Sequence, residues 1–256
     1  MNTSLARPIF HLQQIGVVIG LLATIVTNVL ANTLPLNGQT TGEISDRYPL
    51  FITPPGYVFS IWGLIYIGLI GYAIYQLLPA QATNPRLRAA APWFGLSCVG
   101  NIAWLIFWHY NLPLLSLPAM LVVLGGLIGV YLALRGPGQA EVGEQWLVQP
   151  TFSLYLGWIC VATLVNVSVL LYELGWRDTG TGGIVSTMVL LGLAAGLSWW
   201  FVHRWQDGIL PAVVAWAASG IALKQATIVP LSTMAWVVAL LTAGMAVMVG
   251  VKRLRK

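Results

Sequence analysis

Eight runs of apolar residues, almost free of charge, occupy most of this chain, at about residues 15–34, 56–78, 90–108, 115–134, 150–172, 184–202, 209–223 and 227–251. A helix needs roughly 20 such residues to cross the hydrocarbon of a bilayer. Inside lipid, backbone N–H and C=O groups must be satisfied without water, which leaves helices and closed barrels as spanning structures. Continuous apolar runs of this length read as helices. The predicted fold is therefore all-α, a polytopic transmembrane helix bundle of about eight spans, and its first partner is the lipid bilayer. Composition agrees: 58% of residues are hydrophobic and 7% are charged, against about a quarter charged in soluble domains. No separate soluble domain is left over. The net charge of +5 does not point to nucleic acid, because the basic residues are scattered or terminal. Cys98 and Cys160 fall within apolar runs and read as small packing residues rather than a disulfide. One Arg precedes the first run, and no small-residue cleavage pattern follows it. That run reads as a retained span, not a signal peptide.

Counting basic residues orients the bundle. With eight spans both termini share one side, which holds the nine residues Arg7, Arg86, Arg88, Arg135, Arg204, Lys252, Arg253, Arg255 and Lys256. The other side holds three, Arg47, Arg177 and Lys224. The bias predicts both termini in the cytoplasm. The short seventh run is the weak point of this count. Dropping it would carry the basic C-terminus across the membrane, against the bias.

Polar and aromatic residues inside the runs form stripes. Pro54 and Pro55 are suited to opening a helix but not to its interior. After them Phe59, Trp62 and Tyr66 follow at spacings of three and four that share one face. Asn101, Trp104 and Trp108 do the same in the third run, and Tyr155, Trp158, Ala162 and Asn166 in the fifth. Two uses of such stripes stay open. Membrane aromatics commonly pack or anchor at the interface. A face of indoles and phenols can also hold a flat apolar molecule and hydrogen-bond its edge. Asn28 and Asn32, one turn apart, need partners in hydrocarbon and should face other helices. The polar loop 37–54 is long for a membrane hairpin, so a lid and a plain connection are equally open. Glu141 and Glu144 read as part of a short soluble loop.

Catalytic chemistry finds little to work with. Titratable groups within spans are costly and usually functional, and these spans hold almost none. His11, His109 and His203 sit at span edges, where isolated histidines read as interfacial. No metal-spaced cluster, catalytic triad or phosphate loop is present in the sequence. Lys224 closes the seventh run, where a lysine can snorkel, and no span supplies a carboxylate counter-ion for a light-driven pump. No catalytic or metal-binding residue is assigned.

Together the stripes resemble the tryptophan-rich sensory protein / translocator protein (TspO/MBR) family. That family's second helix reads Pro-Pro, Phe, Trp, Tyr, matched by Pro54, Pro55, Phe59, Trp62 and Tyr66. Its third carries Asn-x-x-Trp, matched by Asn101 and Trp104. Its fifth carries Tyr-Leu-x-Trp, Ala-Thr and Asn, matched by Tyr155, Leu156, Trp158, Ala162, Thr163 and Asn166. The likeness covers about residues 15–172. It implies a five-helix TspO-like core at 1–172 and an added region of about three helices at 173–256. The Lys-Pro-x-Trp element common before the family's Pro-Pro is replaced by Leu50-Phe-Ile-Thr53.

The resemblance further implies a binder of a hydrophobic planar ligand, a porphyrin or other tetrapyrrole, acting in sensing or transport in a bacterial inner membrane. Trp62, Tyr66, Asn101, Trp104, Trp158, Ala162 and Asn166 would line its pocket. No cofactor is required, and a bound porphyrin is the one such molecule implied. A homodimer or a membrane-complex partner is compatible with the sequence. The alternative reading is a non-catalytic accessory subunit that docks through the last spans. There Gly192 and Gly196, four apart, would allow a helix to approach closely.

Overall fold

A computed structural model describes residues 6–34, 36–177 and 179–255, with the backbone alone for 6–11 and 254. The side chains of Arg7 and His11, and all of Lys256, lie outside the described residues. Among the described residues there are nine α-helices and no strand. They are α1 (Ala6–Thr33), α2 (Thr41–Asp46), α3 (Ile61–Leu77), α4 (Pro85–His109), α5 (Pro113–Ala133), α6 (Gln149–Glu173), α7 (Thr181–Trp205), α8 (Ile209–Lys224) and α9 (Val229–Leu254). Seven of them, all but α2 and α8, are long and apolar enough to cross a membrane. The protein is thus a multi-pass helical membrane protein. α8 is apolar but only 16 residues long, or about 24 Å at the helical rise. It corresponds to the short seventh run.

Prolines and asparagines mark the helix starts. Pro54 and Pro55 lead into α3 through one 3₁₀ turn, Gly56–Ser60. Asn84 caps α4, its side chain accepting from the backbone N–H groups of Arg86 and Leu87, with Pro85 in the first turn. A π-helical turn, Glu144–Val148, precedes α6.

The chain packs as two compact units. One comprises the chain through Thr41 together with Trp62–Leu156; the other comprises Gly42–Ile61 and the chain from Gly157 onward. One boundary falls inside α6.

In the first unit α4 packs on α5 and α1 on α4. Glycines set the distance between helices. A Cβ at Gly100 would fall 2.9 Å from the Val123 nitrogen, and one at Gly126 would fall 2.8 Å from the Trp93 carbonyl oxygen. Small residues permit such approach where dispersion, not water exclusion, holds helices together. Tyr72, Phe94 and Phe152 meet edge to face, with centroids 4.9–5.7 Å apart, a geometry aromatic quadrupoles favour.

In the second unit α8 packs on α9, and α7 packs on both. The segment 42–61 is fastened to α8. Trp216 donates from its indole to the Val58 carbonyl at 3.0 Å, and Gln225 donates to the Phe51 carbonyl at 3.2 Å. Lys224 pairs with Asp46 at 2.8 Å and reaches the Thr53 hydroxyl at 3.3 Å. So the lysine at the end of α8 holds a loop. From Gly42 onward this loop is tied to α8 as a strap. A Cβ at Gly192 or Gly196 would meet nothing within 4 Å, so these glycines mark no helix crossing among the described residues. Cys98 and Cys160 are both free thiols.

Candidate functional site

The seven residues singled out by sequence divide between the units. Trp62, Tyr66, Asn101 and Trp104 belong to the first, and Trp158, Ala162 and Asn166 to the second.

In the first unit the stripe on α3 forms a stacked pair. The rings of Trp62 and Tyr66 lie 5.6 Å apart at 21°, and Tyr155 meets Trp62 edge-on at 5.7 Å. The Tyr66 hydroxyl is buried and has no hydrogen-bond partner among the described residues. Such groups are uncommon in native interiors and call for an explanation. Asn101 is fully buried at the centre of a polar chain. Its carbonyl oxygen accepts from the Asn28 amide at 2.8 Å, and its amide donates to the Tyr155 hydroxyl oxygen at 3.1 Å. The expectation that Asn28 faces another helix is thereby met. Asn32 donates to the Asn28 carbonyl and accepts from the Thr41 N–H. Trp104 is buried and stacks on Trp108 at 5.9 Å and 24°; Trp108 donates to the Thr41 carbonyl at 3.3 Å.

In the second unit Trp158 is buried and meets Phe59 edge-on at 5.6 Å. Asn166 donates to the carbonyl of Ala162, one turn earlier on α6. Both residues therefore contribute to a local helix bond as well as to the stripe.

Two features lay outside the sequence reading. The first is a polar cluster in the first unit. Glu144, expected in a soluble loop, is fully buried. Its carboxylate takes Arg86 through Nε at 2.7 Å and through the second guanidinium nitrogen at 3.1 Å, and also accepts from Asn84. Arg86 caps the Gln139 carbonyl at 2.7 Å. Asn84 donates to Gln81, which donates to Glu141 at 2.6 Å; Tyr75 donates to Glu141 at 3.0 Å. These hydrogen bonds, from Gln81 first and then Tyr75, hold the exposed Glu141 carboxyl below its ordinary range. Sequence offered only a weak signal, two carboxylates three residues apart beside a span with Arg86 and Arg88 at the start of another.

The second feature is a cavity of about 330 Å³ in the second unit. Its walls include Phe51 and Ile52 of the strap, Val167 and Leu171 of α6, Trp176, and Leu190 of α7. None of the seven sequence-selected residues lines it. Beside it Tyr48 packs edge-on against Tyr172 at 5.7 Å. Burial, followed by the Glu173 carboxylate, pushes the Tyr48 phenol up to about 12.

The histidines differ from expectation in one case. His109 ends α4 but is fully buried, with Nδ1 2.8 Å from the Leu105 carbonyl oxygen. His203 is exposed and lies against Trp199 at 4.3 Å. Among the described residues no three His, Cys, Asp or Glu side chains gather as a metal site would require.

A family model described as "TSPO-like protein" matches residues 14–248. The match continues through α7, α8 and most of α9, beyond the stretch that holds the sequence motifs. Neither the curated proteins nor the solved structures yield a match.

Proposed function

This chain belongs to the TSPO-like protein family, and from that membership we propose that it binds a flat hydrophobic ligand, a porphyrin or related tetrapyrrole, for sensing or transport. One observation carries the reading: the stacked Trp62–Tyr66 pair ends in a buried hydroxyl that has no partner among the described residues. A planar macrocycle extends such a stack, and its carboxylate or carbonyl would accept from Tyr66. An apolar aromatic surface with a few convergent polar groups is what a ligand of this class requires. Asn101 acts in this reading through Tyr155. Asn101 donates to the buried Tyr155 oxygen and so helps hold the Tyr155 ring edge-on to Trp62. Trp104 on α4, and Trp158, Ala162 and Asn166 on α6, are proposed as further ligand contacts on the family resemblance. The excess of basic residues on one side supports cytoplasmic termini in a bacterial inner membrane.

The test is quenching of tryptophan fluorescence by protoporphyrin in nanodiscs, comparing wild type with Trp62→Ala and Tyr66→Phe. Saturable quenching is expected in wild type. Trp62→Ala should weaken the midpoint several-fold, and Tyr66→Phe less. Identical midpoints in all three proteins would rule out this surface.

A further inference from the structure

The cavity of the second unit is not a tetrapyrrole site by its chemistry. At about 330 Å³ it lies at the low end of ligand pockets, roughly 300–1,000 Å³. No lysine or arginine lines it. Its hydroxyls are already engaged: Ser168 donates to the Leu164 carbonyl, and Ser186 and Thr187 both donate to the Gly183 carbonyl. The remaining side chains are hydrocarbon, apart from the indole of Trp176. No charged side chain in this lining would pair with a carboxylate, and nothing in it would reject an alkyl chain.

Its position adds a direction. The cavity runs along the last turns of α6 and the first turns of α7, where these spans end. Trp176 stands at this end and is 63% exposed, as interfacial tryptophans commonly are. Arg177 follows it. The Arg177 guanidinium is held over the Tyr172 ring at 5.3 Å, and its Nε donates to the Tyr172 carbonyl at 3.4 Å. A cation beside an apolar slot at a span end matches an amphiphile with one acidic head.

The strap that contributes to the wall is tied down rather than loose. Phe51 is fixed through its carbonyl by Gln225, and Thr53 through its hydroxyl by Lys224. Ile52, between them, is 4% exposed. The strap side of the slot is therefore held by hydrogen bonds to α8.

We propose that this cavity takes one acyl chain of a membrane glycerophospholipid, whose phosphate meets Arg177. The site is separate from the Trp62–Tyr66 surface and does not rest on the tetrapyrrole reading. Bound lipid supports the strap segment 50–52 from beneath.

The experiment uses the full chain, purified in detergent and exposed to palmitoyl-oleoyl-phosphatidylglycerol, with lipid stoichiometry read by native mass spectrometry. Wild type is expected to retain one phospholipid through delipidation. Ser186→Phe, which fills the slot, should lower the retained number by one. Arg177→Gln should weaken retention roughly fivefold, the worth of one basic residue at a lipid surface. The exposed Arg177 variant decides the matter alone if Ser186→Phe does not purify as a monodisperse protein. No retained lipid in wild type, or equal retention in wild type and Arg177→Gln, overturns the proposal. Equal retention of phosphate-free diacylglycerol overturns the assignment of the phosphate to Arg177.

Discussion

A hydrogen-bonded chain crosses the interior of the first unit, whereas the cavity in the second is lined mostly by hydrocarbon. Asn28, Asn101 and Tyr155 form an unbroken polar chain between α1, α4 and α6, and Glu144 is buried against a bidentate Arg86. In the second unit the hydroxyls at the cavity turn back onto their own helices. The difference teaches how lipid-embedded helices handle polarity. A buried amide or charge persists only where its partners are complete. An opening persists where no wall atom asks for a partner, since apolar cavities stay dry and accept apolar guests.

Removing one member of the buried ion pair should have the largest effect. Glu144→Ala leaves the Arg86 guanidinium, 9% exposed, without its carboxylate, and should destabilise by about 3–5 kcal/mol. Thermal unfolding in detergent, followed by circular dichroism, reads this directly. A loss similar to that of a surface substitution would remove the contrast between the two units. Asn101→Ala comes next: it leaves the Asn28 amide with the Thr24 carbonyl alone and removes the bond to Tyr155, at a cost of about 1–3 kcal/mol. If Asn101 positions Tyr155 for a ligand, the same variant also weakens protoporphyrin quenching, whereas a purely structural role moves only the unfolding temperature.

The strap gives the smaller effects expected of exposed pairs. Lys224 and Asp46 are 29% and 53% exposed, so Lys224→Ala should cost only about 0.2–1 kcal/mol. Limited proteolysis within 47–53 should nonetheless quicken, because Thr53 loses its tie. The last prediction concerns pH. Glu141 is held below its ordinary range in the folded state, so the stability it contributes is present above that range. It is lost as pH falls through the lowered folded value. The stability gap between wild type and Glu141→Gln should therefore close on acidification. A gap that widened towards acid would reverse the assigned direction.

Much of this architecture is written locally. Apolar runs announce the spans, and Pro54-Pro55 announces a helix start, because backbone chemistry acts over a few residues. The need of Asn28 for a partner was also legible, since an amide in hydrocarbon cannot stay alone. Its partner, 73 positions away, was not. Glu144 illustrates the limit. Its sequence neighbours Gln139 to Gln149 read as polar, and only the fold brings Arg86, 58 positions earlier, to cover it. The strap escapes sequence for the same reason: Asp46 and Lys224 are 178 positions apart. The stripes pick out helix faces, but faces alone do not tell a ligand contact from a hydrogen bond within the bundle, as Asn101 and Asn166 demonstrate.

The central claim is that a tetrapyrrole binds the Trp62–Tyr66 surface and not the apolar cavity. Soret-band titration of protoporphyrin into nanodiscs carrying wild type, Trp62→Ala or Ser186→Phe tests it most directly. The account predicts saturable binding that weakens several-fold in Trp62→Ala and is unchanged in Ser186→Phe. Binding lost in Ser186→Phe and intact in Trp62→Ala would place the pigment in the cavity and contradict the account.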